Sequence, residues 1–161
     1  MKKGLILGIG NILMGDEGIG PHLIEVLTKT GIPDGWDAED GGTGGFTLLQ
    51  YFENYDPIIM IDASLDENPD GTIRLVKPRF ASDYPTSLSA HDIGLHDLVQ
   101  SAQLLGYTPE IFLFAVSVSH FQDISDQLSE GIEDKIPELA NKVLELVGKL
   151  EKGKLQMSSQ T

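Results

Sequence analysis

Four side chains that could bind a metal ion or move a proton stand at the ends of predicted strands or helices. Glu17 follows the first apolar run, and Asp40 and Asp62 follow the second and third predicted strands. His91 lies where a later helix is predicted to begin. Ligands of open α/β sheets lie outside the carboxyl ends of the strands, so residues distant in sequence can meet there. Carboxylates and an imidazole without sulfur suit Ni²⁺, Mn²⁺, Mg²⁺ or Zn²⁺, and we expect a cation site at this rim.

The glycine-rich loop at residues 8–20 is better suited to a cation than to a phosphate. Its first glycines do not complete the dinucleotide pattern G-x-G-x-x-G, because the third glycine would fall at Leu13. Phosphate loops present backbone N–H groups and a lysine to the anion, whereas this loop presents Asp16 and Glu17.

The alternation of strands and helices predicts the fold class. We expect an α/β fold, a three-layer αβα sandwich around a mostly parallel, twisted sheet of about five strands. The predicted strands cover residues 3–9, 36–40, 57–61, 72–76 and 110–118, the fourth as an antiparallel edge. Helices are predicted over residues 18–30, up to 54, from 93 to 105, and over 133–150. Residues 1–151 should form a single domain, and residues 152–161 should form a frayed tail.

The composition excludes several classes of function. The 161 residues include 25 acidic and 11 basic side chains, giving a net charge of −14. Nucleic acids and anionic membranes need basic surface, so neither is expected as a partner. The absence of cysteine excludes disulfides, thiolate metal sites and cysteine nucleophiles. No segment resembles a signal peptide or a membrane span, and a cytoplasmic location is expected.

Four segments together resemble the hydrogenase maturation protease family. They are Gly8-Ile-Gly-Asn-Ile-Leu-Met-Gly-Asp-Glu-Gly-Ile-Gly20, Asp40-Gly-Gly-Thr43, Ile61-Asp62-Ala63 and His91-Asp-Ile-Gly-Leu95. Members of this family are endopeptidases that trim a C-terminal extension from the large subunit of nickel–iron hydrogenases once nickel has been inserted. The likeness extends from the first strand to the helix after His91.

The resemblance implies a metal site, a cofactor and a partner. By motif, the metal ligands are Glu17, Asp62 and His91. The resemblance implies that the ion is nickel and that it is delivered in the large-subunit precursor, so the isolated protein can lack it. The resemblance also implies a cleft shaped by Gly10, Asn11, Gly41, Gly42 and Thr43.

One segment departs from the family. Many relatives carry Gly-apolar-x-Pro after the last strand, whereas this chain has Val116-Ser-Val-Ser-His120. The departure leaves open which hydrogenase is the client and what His120 does. His120 could be an extra ligand or a peptide contact, and a solvated loop histidine is the simpler interpretation.

Two versions of the reaction are compatible with these residues. The ion could act as a Lewis acid on the scissile carbonyl or on a bound water. Alternatively, the ion only anchors the peptide, and Asp16 or Asp40 activates water in an aspartyl-type mechanism. Without a cysteine or a recognisable serine motif, an acyl-enzyme route is the least attractive.

Two alternatives come from other classes of protein. A non-hydrolytic nickel-binding maturation scaffold would keep the same three ligands without turnover. A receiver-type phosphoacceptor domain would use Asp16, Glu17 and Asp62, but residues 116–122 lack the lysine that receivers carry after the last parallel strand.

Overall fold

The computed structural model describes residues 1–119 and 124–159, and the strands of this part form a five-stranded sheet. The strands are β1 (Gly4–Ile9), β2 (Trp36–Gly42), β3 (Ile58–Leu65), β4 (Ile73–Val76) and β5 (Ile111–Val118). The α-helices are α1 (Ile19–Thr30), α2 (Leu49–Asn54), α3 (Leu95–Leu104), α4 (Glu130–Glu133) and α5 (Ile136–Ser159). Short 3-10 turns lie at Gly15–Gly18, Gly45–Leu48, Ala81–Asp83 and Ser89–Ile93.

The strand order is β2-β1-β3-β5-β4. β1 is parallel to β2 and β3, and β3 is parallel to β5. β4 is antiparallel to β5 at the edge of the sheet, as predicted. The predicted mostly parallel sheet is therefore confirmed.

Both faces of the sheet are covered by helices because the central strands carry apolar side chains on both sides. One face packs against α1 and α5 through Ile6, Ile59, Ile61, Phe112, Phe114 and Val116. The other packs against α2 and α3 through Leu5, Leu7, Ile58, Met60 and Leu113. The three-layer sandwich predicted from the sequence is confirmed.

β3 is longer than predicted, and this changes the position of Asp62. Pairing with β1 ends at Gly8 opposite Ile61, whereas pairing with β5 continues from Asp62 to Leu65. The expectation that Asp62 terminates the strand is therefore wrong. Asp62 lies inside β3 at the first position beyond the β1 pairing, where the neighbouring chain has turned away.

Two helix boundaries also differ from the predictions. His91 lies in the 3-10 turn Ser89–Ile93 and not on α3, because Gly94 adopts φ +82° between the two elements. α5 continues to Ser159, so the predicted frayed tail is wrong for residues 152–159. This stretch contains Lys, Leu, Gln and Met and no proline, and these residues favour helix more than Gly153 and the two serines oppose it. None of the described helices is long and apolar enough to cross a membrane.

Candidate functional site

The chain leaves β1 through a turn that only glycine can make. Gly10 has φ +135°, and a Cβ there would lie 2.1 Å from the carbonyl oxygen of Glu17. The Gly10 N–H donates to the Gly42 carbonyl at 3.1 Å, which joins the glycine loop to the Asp-Gly-Gly-Thr segment. Asn11 Oδ1 accepts the Leu13 N–H at 2.9 Å and closes the loop locally. Both predicted cleft segments therefore lie side by side.

Asp62 is a fully buried carboxyl group held by three donors. Oδ1 accepts the Ala63 N–H at 2.9 Å and the Ser89 hydroxyl, and Oδ2 accepts the Ala90 N–H at 2.9 Å. Burial raises the pKa of Asp62 to about 7, against the opposing effect of the three donors, and the charge of nearby Glu17 raises it further. The group therefore titrates near neutral pH.

The elements that carry the three predicted metal ligands converge on β3. This strand contacts both the Gly15–Gly18 turn and the Ser89–Ile93 turn. Glu17 is half-buried, and its charge acts on Asp62. His91 is exposed and directly follows the residue whose N–H binds Asp62. Within the described residues, no three His, Asp or Glu side chains stand close enough together to hold one ion. Joint ligation stays a prediction and would require side chains to reorient.

Asp16, predicted as a catalytic acid or base, fastens the glycine loop to the chain before α4. It is 4% exposed. Its Oδ1 accepts the Ser129 N–H at 2.7 Å, and its Oδ2 accepts the Ser129 hydroxyl at 2.9 Å. Backbone bonds at Ser125 hold the same two segments together. These contacts give Asp16 a structural role, and its action on water stays a prediction.

Asp40 lies on the edge strand β2 and is exposed. Its Oδ1 accepts the Gly42 N–H at 2.8 Å. β1 lies between β2 and β3, so the backbone at Asp40 is about two strand spacings, roughly 10 Å, from β3. A Cβ at Gly41 would lie 3.0 Å from core side chains, and Thr43 is exposed at the end of the segment. His120, the predicted extra contact, lies outside the described residues, and its role stays a prediction.

The sequence reasoning missed a polar cluster around Asp66. Its Oδ2 accepts the Ser64 hydroxyl at 2.8 Å and the Ser117 hydroxyl at 3.1 Å, and it lies 3.3 Å from Arg74 Nη2. Its Oδ1 accepts the Asn68 N–H at 2.9 Å. Burial opposes ionisation, but these donors and the arginine hold the pKa of Asp66 below its usual value. The available signal was a serine within each of two apolar strands.

Comparison with known proteins gives consistent matches. The family model for hydrogenase maturation proteases matches residues 21–146. The hydrogenase expression/formation protein HoxM of Azotobacter vinelandii is 33% identical over 149 residues, covering 89% of this chain and 71% of that protein. The hydrogenase 2 maturation protease of Escherichia coli K12 is 35% identical over 109 residues, covering 66% of each. The solved structure of the hydrogenase maturating endopeptidase HybD from E. coli superposes with a TM-score of 0.81 at 30% identity, covering 91% of this chain and 93% of that one.

Proposed function

Because this chain belongs to the hydrogenase maturation protease family, we propose that it removes the C-terminal extension of a nickel–iron hydrogenase large-subunit precursor after nickel insertion. The family assignment makes the chain a hydrolase of the peptidase class and sets aside the receiver alternative. In the proposal, nickel belongs to the substrate. Glu17, Asp62 and His91 detect that it is present.

The observation that carries the proposal is the environment of Asp62. A buried carboxylate is costly unless a cation or hydrogen bonds compensate for lost hydration. Three donors orient Asp62, but none of them carries a positive charge. An arriving divalent ion would supply that charge and favour ionisation. The turns that carry Glu17 and His91 both contact β3, which supports a common cation site formed when these side chains reorient.

The hydrogen bonds favour Asp40 over Asp16 if a carboxylate activates the water. Both oxygens of Asp16 accept bonds from Ser129. Asp40 Oδ1 accepts one backbone bond, while Oδ2 has no hydrogen-bond partner among the described residues. A general base needs an oxygen that can reach the attacking water. In the alternative version, the substrate's nickel polarises the scissile carbonyl, and neither aspartate touches the water.

The test is cleavage of a defined precursor. Purified protein is incubated with nickel-loaded and nickel-free large-subunit precursor, and the mass of the large subunit is followed. We expect shortening only of the loaded precursor. Glu17→Gln and His91→Ala should abolish cleavage while leaving the fold intact. His96→Ala is the matched control, because the His96 side chain is 53% exposed on α3. Full cleavage by both ligand variants would remove these side chains from the mechanism.

The same assay separates a protease from a non-hydrolytic scaffold. A scaffold would bind the nickel-loaded precursor and leave its mass unchanged. Native mass spectrometry of the mixture detects that complex. Turnover by catalytic amounts of protein excludes the scaffold.

A further inference from the structure

The carboxylate of Asp66 joins the ends of three strands. Asp66 directly follows β3, and its Oδ2 accepts hydroxyl bonds from Ser64 on β3 and Ser117 on β5. Arg74 on β4 lies 3.3 Å from the same oxygen. Both serines are fully buried, so their hydroxyls depend on partners inside the protein. Asp66 therefore determines how these hydroxyls are oriented.

The network continues from Ser64 to the segment at residues 87–91. The Ser64 and Ser87 hydroxyl oxygens are 2.7 Å apart. Because Ser64 donates its only hydroxyl hydrogen to Asp66, the hydrogen between the serines comes from Ser87. The Leu65 N–H also donates to the Ser87 carbonyl at 2.8 Å, and Leu88 forms a bridge with Ser64. The segment is thus attached to β3 from both its backbone and its side chain.

The residues that follow this attachment serve the candidate site. Ser89 and Ala90 donate to Asp62, and the next residue is His91. We propose that Asp66 is a positioning residue, which fixes the 87–91 segment through Ser64 and Ser87 and thereby sets the positions of Asp62 and His91. This inference rests on the proposed function, since it names a residue that supports that site without touching the substrate.

Asp66→Asn is the sharpest perturbation because it keeps the shape and changes the donor pattern. An amide nitrogen at the Oδ2 position donates, so it cannot accept the Ser64 hydroxyl. That hydroxyl must rotate, and the bond from Ser87 loses its acceptor geometry. An amide oxygen placed there instead carries no charge to face Arg74. That second orientation keeps the Ser64 bond but turns the amide nitrogen toward the Asn68 N–H, so two donors face each other. Either orientation therefore disrupts the network around residue 66.

The matched control is Asp37→Asn on β2. Asp37 Oδ2 accepts the Tyr55 hydroxyl at 2.7 Å, and Oδ1 lies 3.3 Å from Lys3 Nζ. Like Asp66, Asp37 accepts a side-chain hydroxyl bond, lies beside a cation and has a lowered pKa, although Asp66 accepts two hydroxyl bonds and Asp37 accepts one. It has no bond to the 87–91 segment. Comparing Asp66→Asn with Asp37→Asn separates the general effect of losing a hydrogen-bonded aspartate from the effect of losing the network around Asp66.

Two measurements test the inference. Steady-state processing of the nickel-loaded precursor should show kcat lowered about 10–100-fold in Asp66→Asn with KM unchanged, as for other groups that orient ligands indirectly. Amide hydrogen exchange should show faster exchange at Ala90 and His91 relative to Leu5 in the centre of the sheet. Asp37→Asn should change neither.

Specific results would overturn the inference that Asp66 is a positioning residue. Wild-type kcat in Asp66→Asn, or exchange at Ala90 that changes only in step with Leu5, overturns the inference. If Asp66→Asn does not fold, Ser87→Ala breaks the same link and leaves the Asp66–Arg74 pair intact. If the wild-type protein leaves the nickel-loaded precursor uncut, the proposed function fails, while the exchange data still decide whether Asp66 positions the segment.

Discussion

Raising the pH from 5 to 8 should destabilise the metal-free protein through Asp62. The side chain is 0% exposed, and burial raises its pKa from 3.8 to about 7. In the unfolded chain the same group regains its ordinary pKa. Between the two values, the native state holds a proton that the unfolded state has released.

Proton linkage gives the direction and the size of the change in stability with pH. Stability falls with rising pH wherever the native state binds more protons than the unfolded state. The Asp62 contribution therefore decreases from about pH 4, the unfolded pKa, and levels off above the native pKa of about 7. Between pH 5 and pH 8 the loss is about 2–3 kcal/mol. For a domain of this size, that loss lowers Tm by about 5–10 °C.

The assay compares wild type with Asp62→Asn in a chelating buffer. Urea unfolding at intervals from pH 5 to pH 8 gives the free energy of unfolding for each protein. Wild type and Asp62→Asn share every other titratable group, so the difference between the two curves reports on Asp62. We expect the two curves to diverge as the pH rises, with Asp62→Asn relatively more stable at pH 8. Parallel curves would refute the assignment of a raised pKa to this group.

Two further predictions concern the glycine loop and its anchor. Gly10→Ala should cost about 3 kcal/mol or more, because its Cβ would lie 2.1 Å from the Glu17 carbonyl oxygen at φ +135°. Gly148→Ala in α5 is the control and should stabilise the protein by up to about 1 kcal/mol, since a Cβ there meets nothing within 4 Å. Ser129→Ala should cost about 1–3 kcal/mol by removing the hydroxyl donor to the buried Asp16. Urea unfolding measures all three, and an unchanged midpoint for Gly10→Ala or Ser129→Ala would contradict the corresponding contact.

The three layers of the fold could be predicted because the apolar pattern within each element shows which of its faces are buried. Strands such as β5, whose eight residues are all buried, leave no polar face for solvent. The end of β3 was harder to predict. Asp62 is polar and suggested a terminus, yet pairing with β5 continues past it to Leu65. Strand length here depends on a neighbouring strand more than 40 residues away in sequence, which local patterns do not encode.

The sequence could predict that the candidate site residues lie at one edge of the sheet, because they follow strands. It could not predict which groups donate hydrogen bonds to the acidic residues, because those donors come from distant segments. Ser129 lies 113 residues from Asp16, and Ser89 lies 27 residues from Asp62. A serine in a polar segment has many possible partners, and only the folded backbone selects one. The cluster around Asp66 was not predicted for the same reason, since its donors come from three different strands.

Burial and hydrogen bonding act in opposite directions on Asp62, and this opposition matters for the proposed function. The three donors all require an acceptor, so they favour the carboxylate, whereas burial favours the neutral acid. The donors occupy Oδ1 twice and Oδ2 once. A carboxylate oxygen offers about two acceptor sites, so the remaining site is on Oδ2. In the proposed function, a substrate-borne cation would bind at this remaining site, while the donors already hold the carboxyl group in place, and its charge would offset the cost of ionising the buried Asp62.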